Sequence, residues 1–382
     1  MARIVVGAYM VRYPLGGMLS LAVQLVAGLR RLGHEVTVVE KAGWEGSCFD
    51  PAAGTMSDDC AYGTGVVRSL LARHGLGDRW CFVDAGGACH GLAAGALRAA
   101  LGGCDAFVDA GTHGHWLEDL PAGRPRILLD GEPGWTQMRW KQRSAAGEPL
   151  PEYDVHLTVG QNVGTERSPI PTVGRRWGHT FYPVLCDEFT PAPPPSGAAY
   201  TTVMNWQAHD TLEFGGHTYG QKDVEFEKFV GLPSLVEPTG VEVAIAGSGV
   251  PRERLERAGW RLRDAHATTH SYDGYRTFVG SSRGEFSVAK NVFVATNSGW
   301  FSDRSAAYLA SGRPVVVQDT GIAGHLPCGE GLFAVADAAG AAAAIEEIER
   351  DYGRHAAAAR AIALEYLAAE RVLPAMLGEV GL

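Results

Sequence analysis

The chain has 382 residues, 46% of them hydrophobic, and a net charge of −10. That length is enough for two cores of ordinary domain size, and the acidic balance is the wrong sign for a surface that tracks a nucleic-acid backbone. No apolar run reaches the roughly 18–20 residues of a membrane span, and with Met1-Ala2-Arg3-Ile4 leading straight into a strand no signal peptide is expected. Seven scattered cysteines without CxxC spacing argue against a disulfide framework or a structural zinc site. The expected location is the cytoplasm.

In chain order, Ile4-Val5-Val6 is a strand and Arg12-Tyr13-Pro14-Leu15-Gly16-Gly17 is a glycine loop. Leu19–Leu32 has helical apolar spacing, and Gly33-His34-Glu35-Val36-Thr37-Val38-Val39 is a turn that opens a second strand. Only Gly-Ala-Tyr-Met follows Ile4–Val6, so the Gly-x-Gly-x-x-Gly of a dinucleotide-binding dehydrogenase is missing. Ala106–Asp109 and Ile127–Asp130 are short strands ending in carboxylates, and Val155–Val159 is another. The prolines of Asp187–Ala199 favour extended geometry and block a helix, which marks a linker.

A second alternating run starts at Tyr200, with further strands predicted at Glu242–Ala246, Val292–Ala295 and the β-branched Val315–Val317. Ser305–Ala310 is a short helix stopped by Gly312 and Pro314, fronted by the cap residues Ser302 and Asp303 and the turn Asn297-Ser298-Gly299. From Ala341 the Ala-, Glu-, Arg- and Leu-rich tail favours helix. The reading is α/β: two doubly wound Rossmann-like domains, 1–186 and 200–360, joined by a linker at 187–199 and facing a cleft. A terminal helix within 361–382 is expected to pack back on the first domain. In such sheets ligands lie beyond the carboxyl ends of the strands.

The loop, helix N-terminus, small-residue helix and Gly-Arg-Pro-Val-Val of Asn297–Val317 resemble the nucleotide-sugar-binding segment of two-domain (GT-B) glycosyltransferases. The strand, Gly-Gly loop, helix and Gly-His-x-Val at the front of the chain are similar to the opening of that superfamily. The resemblance implies a donor on the second domain, its diphosphate at the Gly299–Ser305 junction, where free N–H groups and the helix dipole attract anions. Glu285 resembles the first glutamate of a paired motif in retaining members. Position 293 is Phe, and a shift to the small-residue helix lands on Ala307, so the pair is incomplete. Glu285 is then either a donor ligand or a solvated residue at a helix N-terminus.

Lys222 and Lys290 are expected near the diphosphate, with Arg304 as a third cation, against the alternative of surface lysines. Related enzymes place an arginine before the lysine, where this chain has Asn205-Trp206. Asp303 reads equally as a helix cap and as a ligand for sugar hydroxyls; Asp319-Thr320-Gly321 reads as a hydroxyl-binding loop or a turn. On the first domain, His113, Asp130 and Glu132 are candidates for the catalytic base, and Arg12, Gly16, Gly17, His115 and Trp135 for acceptor contacts. Trp135, Trp206 and Trp300 either stack on a ligand or fill the core. His113 and His115 have metal-like spacing but lack a third ligand of matching pattern, so no metal is expected.

The function implied is metal-independent transfer of a sugar from a nucleotide diphosphate sugar to a small-molecule acceptor, with no separate cofactor. Nucleic acid is not expected as a partner, and a homodimer is an allowed assembly. The alternatives are a sugar-nucleotide epimerase or hydrolase of the same architecture and a non-catalytic sugar-nucleotide-binding protein. The nucleotide, sugar, acceptor and stereochemistry stay open.

Overall fold

The structure is a computed structural model and describes every residue except Ala52, Ala208 and His209. Two sheets organise it. The first has eight strands in the order Trp177–His179, Val155–Thr158, Arg126–Asp130, Ala106–Ala110, Arg3–Ala8, Glu35–Lys41, Trp80–Val83, Cys89–Gly91. All neighbours are parallel except the last pair. The chain enters at a central strand, where Val5 registers with both Thr37 and Phe107, builds one side, and returns to build the other. The sheet therefore has a switch point beside Arg3–Ala8.

The second sheet repeats the plan with six parallel strands: Arg261–Asp264, Val241–Ala246, Tyr200–Asn205, Gly284–Ser287, Val315–Gln318, Leu332–Val335. Its switch point lies between Tyr200–Asn205 and Gly284–Ser287. This corrects one sequence expectation. Val292–Ala295 is not a strand but part of the helix Asn291–Ala295, and the strand lies upstream at Gly284–Ser287. The β-branched residues Val292 and Val294 suggested a strand, but tertiary packing overrides that propensity: Val292 and Phe293 fill a cluster with Met138 and Leu212 between the two halves.

The chain crosses between the halves at two adjacent places. Val184 N–H donates to Leu367 C=O and Ala369 N–H to Val184 C=O, so the outgoing and returning strands are tied together. Beyond that tie, helix Ala369–Gly378 buries Ala369, Leu373, Met376 and Leu377 in the core of the first half, against helix Gly16–Arg31. The segment 187–199 is anchored at its start. Asp187 and Glu188 pair with Arg31, and Phe189 is buried in the second half.

Gly16 and Gly17, expected in an acceptor loop, open helix Gly16–Arg31 instead. A Cβ on Gly16 would sit 2.5 Å from both Ser271 C=O and Tyr275 Cβ, so this glycine lets the helix start press against the second half. Nothing lies within 4 Å of the same position on Gly17. Gly16→Ala should therefore destabilise by about 1–3 kcal/mol, the usual cost of overpacking. Gly17→Ala should be neutral or slightly stabilising. Urea denaturation of the two variants separates them, and equal midpoints would contradict the close approach.

Candidate functional site

Three cations gather at the switch point of the second sheet. Glu285 lies on the strand Gly284–Ser287 and is fully buried, and Arg304 Nε donates to its Oε1 at 2.6 Å. The same guanidinium donates to Ser287 Oγ at 2.5 Å and to Val203 C=O at 3.0 Å, linking helix Asp303–Ala310 to both strands beside the switch point. Glu285 is thus neither a solvated helix residue nor free to hold a ligand with Oε1. Arg304 is correspondingly occupied by the protein. Its charge still acts at a distance on its neighbours.

Lys222 opens the helix Lys222–Phe226 and is half-buried. Among the described residues it has no hydrogen-bond or ion-pair partner. Burial first, then the charges of Arg304 and Lys290, push its ammonium down to about 7. Lys290 differs, because both oxygens of Glu132 lie 2.7 Å from its Nζ, and this pair bridges the two halves of the molecule. Lys222 is the cation of the cluster left with unmet charge.

Helix Asp303–Ala310 begins as the sequence expects. Ser302 Oγ accepts from Arg304 N–H at 3.2 Å and caps it. Asp303 follows as the first helical residue, its proton affinity raised by burial and opposed by Arg304. A narrow cavity opens beside this terminus, lined by Ser287, Ala289, Trp300, Ser302, Ser305 and Gln318 among others. Ser305 Oγ and Trp300 Nε1 are buried there without a hydrogen-bond partner among the described residues. A hydroxyl and an indole N–H cost free energy when buried unpaired.

The loop feeding the helix is clamped to the first half. Gly299 has φ +73°, and Gln161 and Asn162 N–H donate to Gly299 and Ser298 C=O. Asp319–Gly321 is the turn its composition suggests: Asp319 Oδ1 accepts from Gly321 and Ile322 N–H, and Gly321 has φ +89°. Thr320 Oγ1 donates to Trp300 C=O at 2.6 Å, bracing the Trp300 loop.

On the first half, carboxylates at strand ends serve as internal acceptors. Asp130 is buried and accepts from Thr136, Gln137 and Thr158 side chains and from Glu132 N–H. Both its oxygens are taken, which corrects its assignment as a base. Asp109 is likewise held by Thr112, Gly114 and Tyr153 and cannot orient His113. Arg12 is 3% exposed, pairs with Glu40 at 3.2 Å and lies over the Tyr9 ring at 4.2 Å. It braces the loop that was expected to present it to an acceptor.

His113 is exposed in a left-handed turn at φ +53°, and His115, two residues on, has its proton affinity lowered by burial and by Arg12. Trp135 is half-buried in the cluster between the halves, Trp206 is core, and Trp300 packs on Phe293 with the rings tilted, centroids 4.8 Å apart. Residue spacing carried no sign of Tyr182 and Tyr275, which lie near enough to Asp303 to feel its charge. Tyr275 OH is buried without a hydrogen-bond partner among the described residues. Ser305, one turn beyond the cap, was legible as a polar residue in the first helical turn.

No family model and no curated protein matches the chain. Solved structures do. HepE of Anabaena, in complex with UDP-glucose, matches at TM-score 0.60 and 11% identity over 100% of this chain and 99% of its own. An alpha-glucosyltransferase in complex with UDP and a mismatched 13-mer DNA matches at TM-score 0.54 and 10% identity over 99% of each chain. The chain has the two-domain GT-B fold.

Arg304→Met should cost about 3–5 kcal/mol in urea unfolding, because it strands the buried Glu285 carboxylate. Adding Glu285→Gln should restore most of the loss. A single variant within about 1 kcal/mol of the parent would show that Arg304 is not the structural partner described.

Proposed function

We propose that this protein transfers a sugar from a nucleotide diphosphate sugar to a hydroxyl of a small-molecule acceptor. The observation that carries the reading is the unpaired Lys222 ammonium in a cluster with Lys290 and Arg304, beside a capped helix N-terminus and a cavity with orphaned donors. A diphosphate supplies the negative charge and the acceptor oxygens that this arrangement lacks. The match to a UDP-glucose complex of the same fold supports a sugar nucleotide over other phosphates. The net charge of −10 supports a small acceptor over a DNA strand.

In the transfer, the acceptor oxygen bonds to the anomeric carbon while the bond from that carbon to the diphosphate breaks. Lys222 and the amides of the helix start hold the leaving diphosphate, and a base takes the acceptor proton. His113 is the base we propose, since Asp130 has both oxygens occupied and Glu132 faces Lys290. Glu132 occupies the place of an internal anion, which an incoming diphosphate displaces from Lys290.

Lys222 gives the first test. Its free pKa is about 7, and a bound anion raises it. UDP affinity should be full below pH 7 and fall by up to about tenfold per pH unit above it, with proton uptake on binding. Lys222→Met should weaken UDP by about 1.5–3 kcal/mol near neutral pH and flatten the profile, as calorimetry at several pH values would read. Thermal-shift comparison of UDP, dTDP and GDP identifies the base through the stabilisation each gives. No shift with any nucleotide would sink the reading.

Glu132→Gln should tighten UDP by up to about fivefold, the worth of a part-exposed ion pair. Weaker UDP binding in that variant would contradict displacement. His113→Ala should lower turnover by about 10²–10⁴-fold with UDP affinity unchanged. Product analysis without an acceptor distinguishes transfer from epimerisation or hydrolysis of the sugar nucleotide.

A further inference from the structure

We propose that Cys60, Asp84 and His90 form a site for one zinc-like divalent metal ion at the edge of the first sheet. Three separate elements bring them together. Cys60 is the buried residue preceding helix Ala61–Arg73, Asp84 follows the strand Trp80–Val83, and His90 lies on the antiparallel strand Cys89–Gly91. Their donor atoms all lie within 4.8 Å of one another.

The geometry is that of ligands converging on a point. Cys60 Sγ is 3.5 Å and Asp84 Oδ2 is 2.7 Å from the same atom, His90 Nε2. A nucleophile–histidine–carboxylate relay would use the two different ring nitrogens instead. A tetrahedral zinc with Zn–S of about 2.3 Å and Zn–N of about 2.0–2.1 Å sets the S–N edge at about 3.6 Å, close to the separation present. The N–O edge, 2.7 Å here, has to widen by about 0.6 Å.

The carboxylate is already oriented. Asp84 Oδ1 accepts from Gly86 N–H at 3.0 Å and Ala88 N–H at 2.9 Å in the hairpin loop, which leaves Oδ2 for the ion. Asp84 and His90 side chains are 22% and 35% exposed, so solvent reaches the site and can supply a fourth ligand. Thiolate and imidazole select zinc or cobalt over magnesium or calcium. On binding, the thiol proton leaves to solvent and the imidazole N–H moves to Nδ1. A divalent cation favours the thiolate over the thiol. None of these residues belongs to the Lys222 cluster, so the proposal stands apart from the transfer reaction.

The test uses full-length, tag-free protein titrated with Zn²⁺ by calorimetry and with Co²⁺ by absorption spectroscopy. Expected are one equivalent of metal, proton release on binding, and a cobalt spectrum with tetrahedral d–d bands and a thiolate charge-transfer band. Cys60→Ser should abolish that band and weaken zinc at least about tenfold, and His90→Gln should weaken zinc similarly. Cys328→Ser, which removes the exposed thiol, should change nothing. Absence of stoichiometric binding, an octahedral cobalt spectrum in the parent protein, or undiminished binding in folded Cys60→Ser would overturn the proposal.

Discussion

The ion pair between Glu285 and Arg304 sets the terms for the second half of the molecule. A fully buried carboxylate on a central strand needs a cation, and the helix Asp303–Ala310 supplies one from its first turn. Arg304 also reaches Ser287 Oγ and Val203 C=O, so the helix start is fixed against the two strands that flank the switch point. With that start fixed, Ser302 caps the helix, Ser305 and Trp300 line the cavity beside it, and Lys222 stands close enough for its proton affinity to fall. Other groups tune the site, but they act on a scaffold this pair holds in place.

The first half also uses buried carboxylates, one of them, Glu40, paired with Arg12. Glu40 receives N–H groups from Met10, Val11 and Arg12; Asp109 and Asp130 each gather hydroxyl and N–H donors from the loops that follow their strands, and Asp130 also from Thr158 on the next strand. Loops at the carboxyl ends of parallel strands have unsatisfied N–H groups, and a buried acidic side chain satisfies several at once. These acids brace the loops beyond the strand ends. Their burial is what removes them from the list of groups able to meet an acceptor.

The halves are joined by polar contacts of modest individual strength. Glu132 with Lys290, Asn162 with Asn297 C=O, and Ser168 with Thr296 C=O cross between them, alongside the apolar cluster around Val292 and Phe293. Partly exposed ion pairs and side-chain-to-backbone bonds each contribute on the order of 1 kcal/mol, an amount a charged ligand can outcompete. The adjacent crossings at Val184 and Ala368 tie the two halves at one edge.

The α/β class, the strands at Ala106–Asp109, Ile127–Asp130 and Val315–Val317, and the cap at Ser302 were determined by the sequence alone. They depend on local properties: β-branched runs, short polar side chains at helix starts, and glycine or proline at helix ends. Burial and pairing are not local. Glu285 reads as an exposed acid until the strand at Gly284–Ser287 places it in the core, and Val292–Ala295 reads as a strand until its face is packed as a helix between the halves. Asp130 reads as a base and Arg12 as an acceptor contact, and only the assembled fold places both in buried internal bonds with distant segments. The convergence of Cys60, Asp84 and His90 has no spacing signature, because a helix start, a hairpin loop and an antiparallel edge strand meet only when the sheet is assembled.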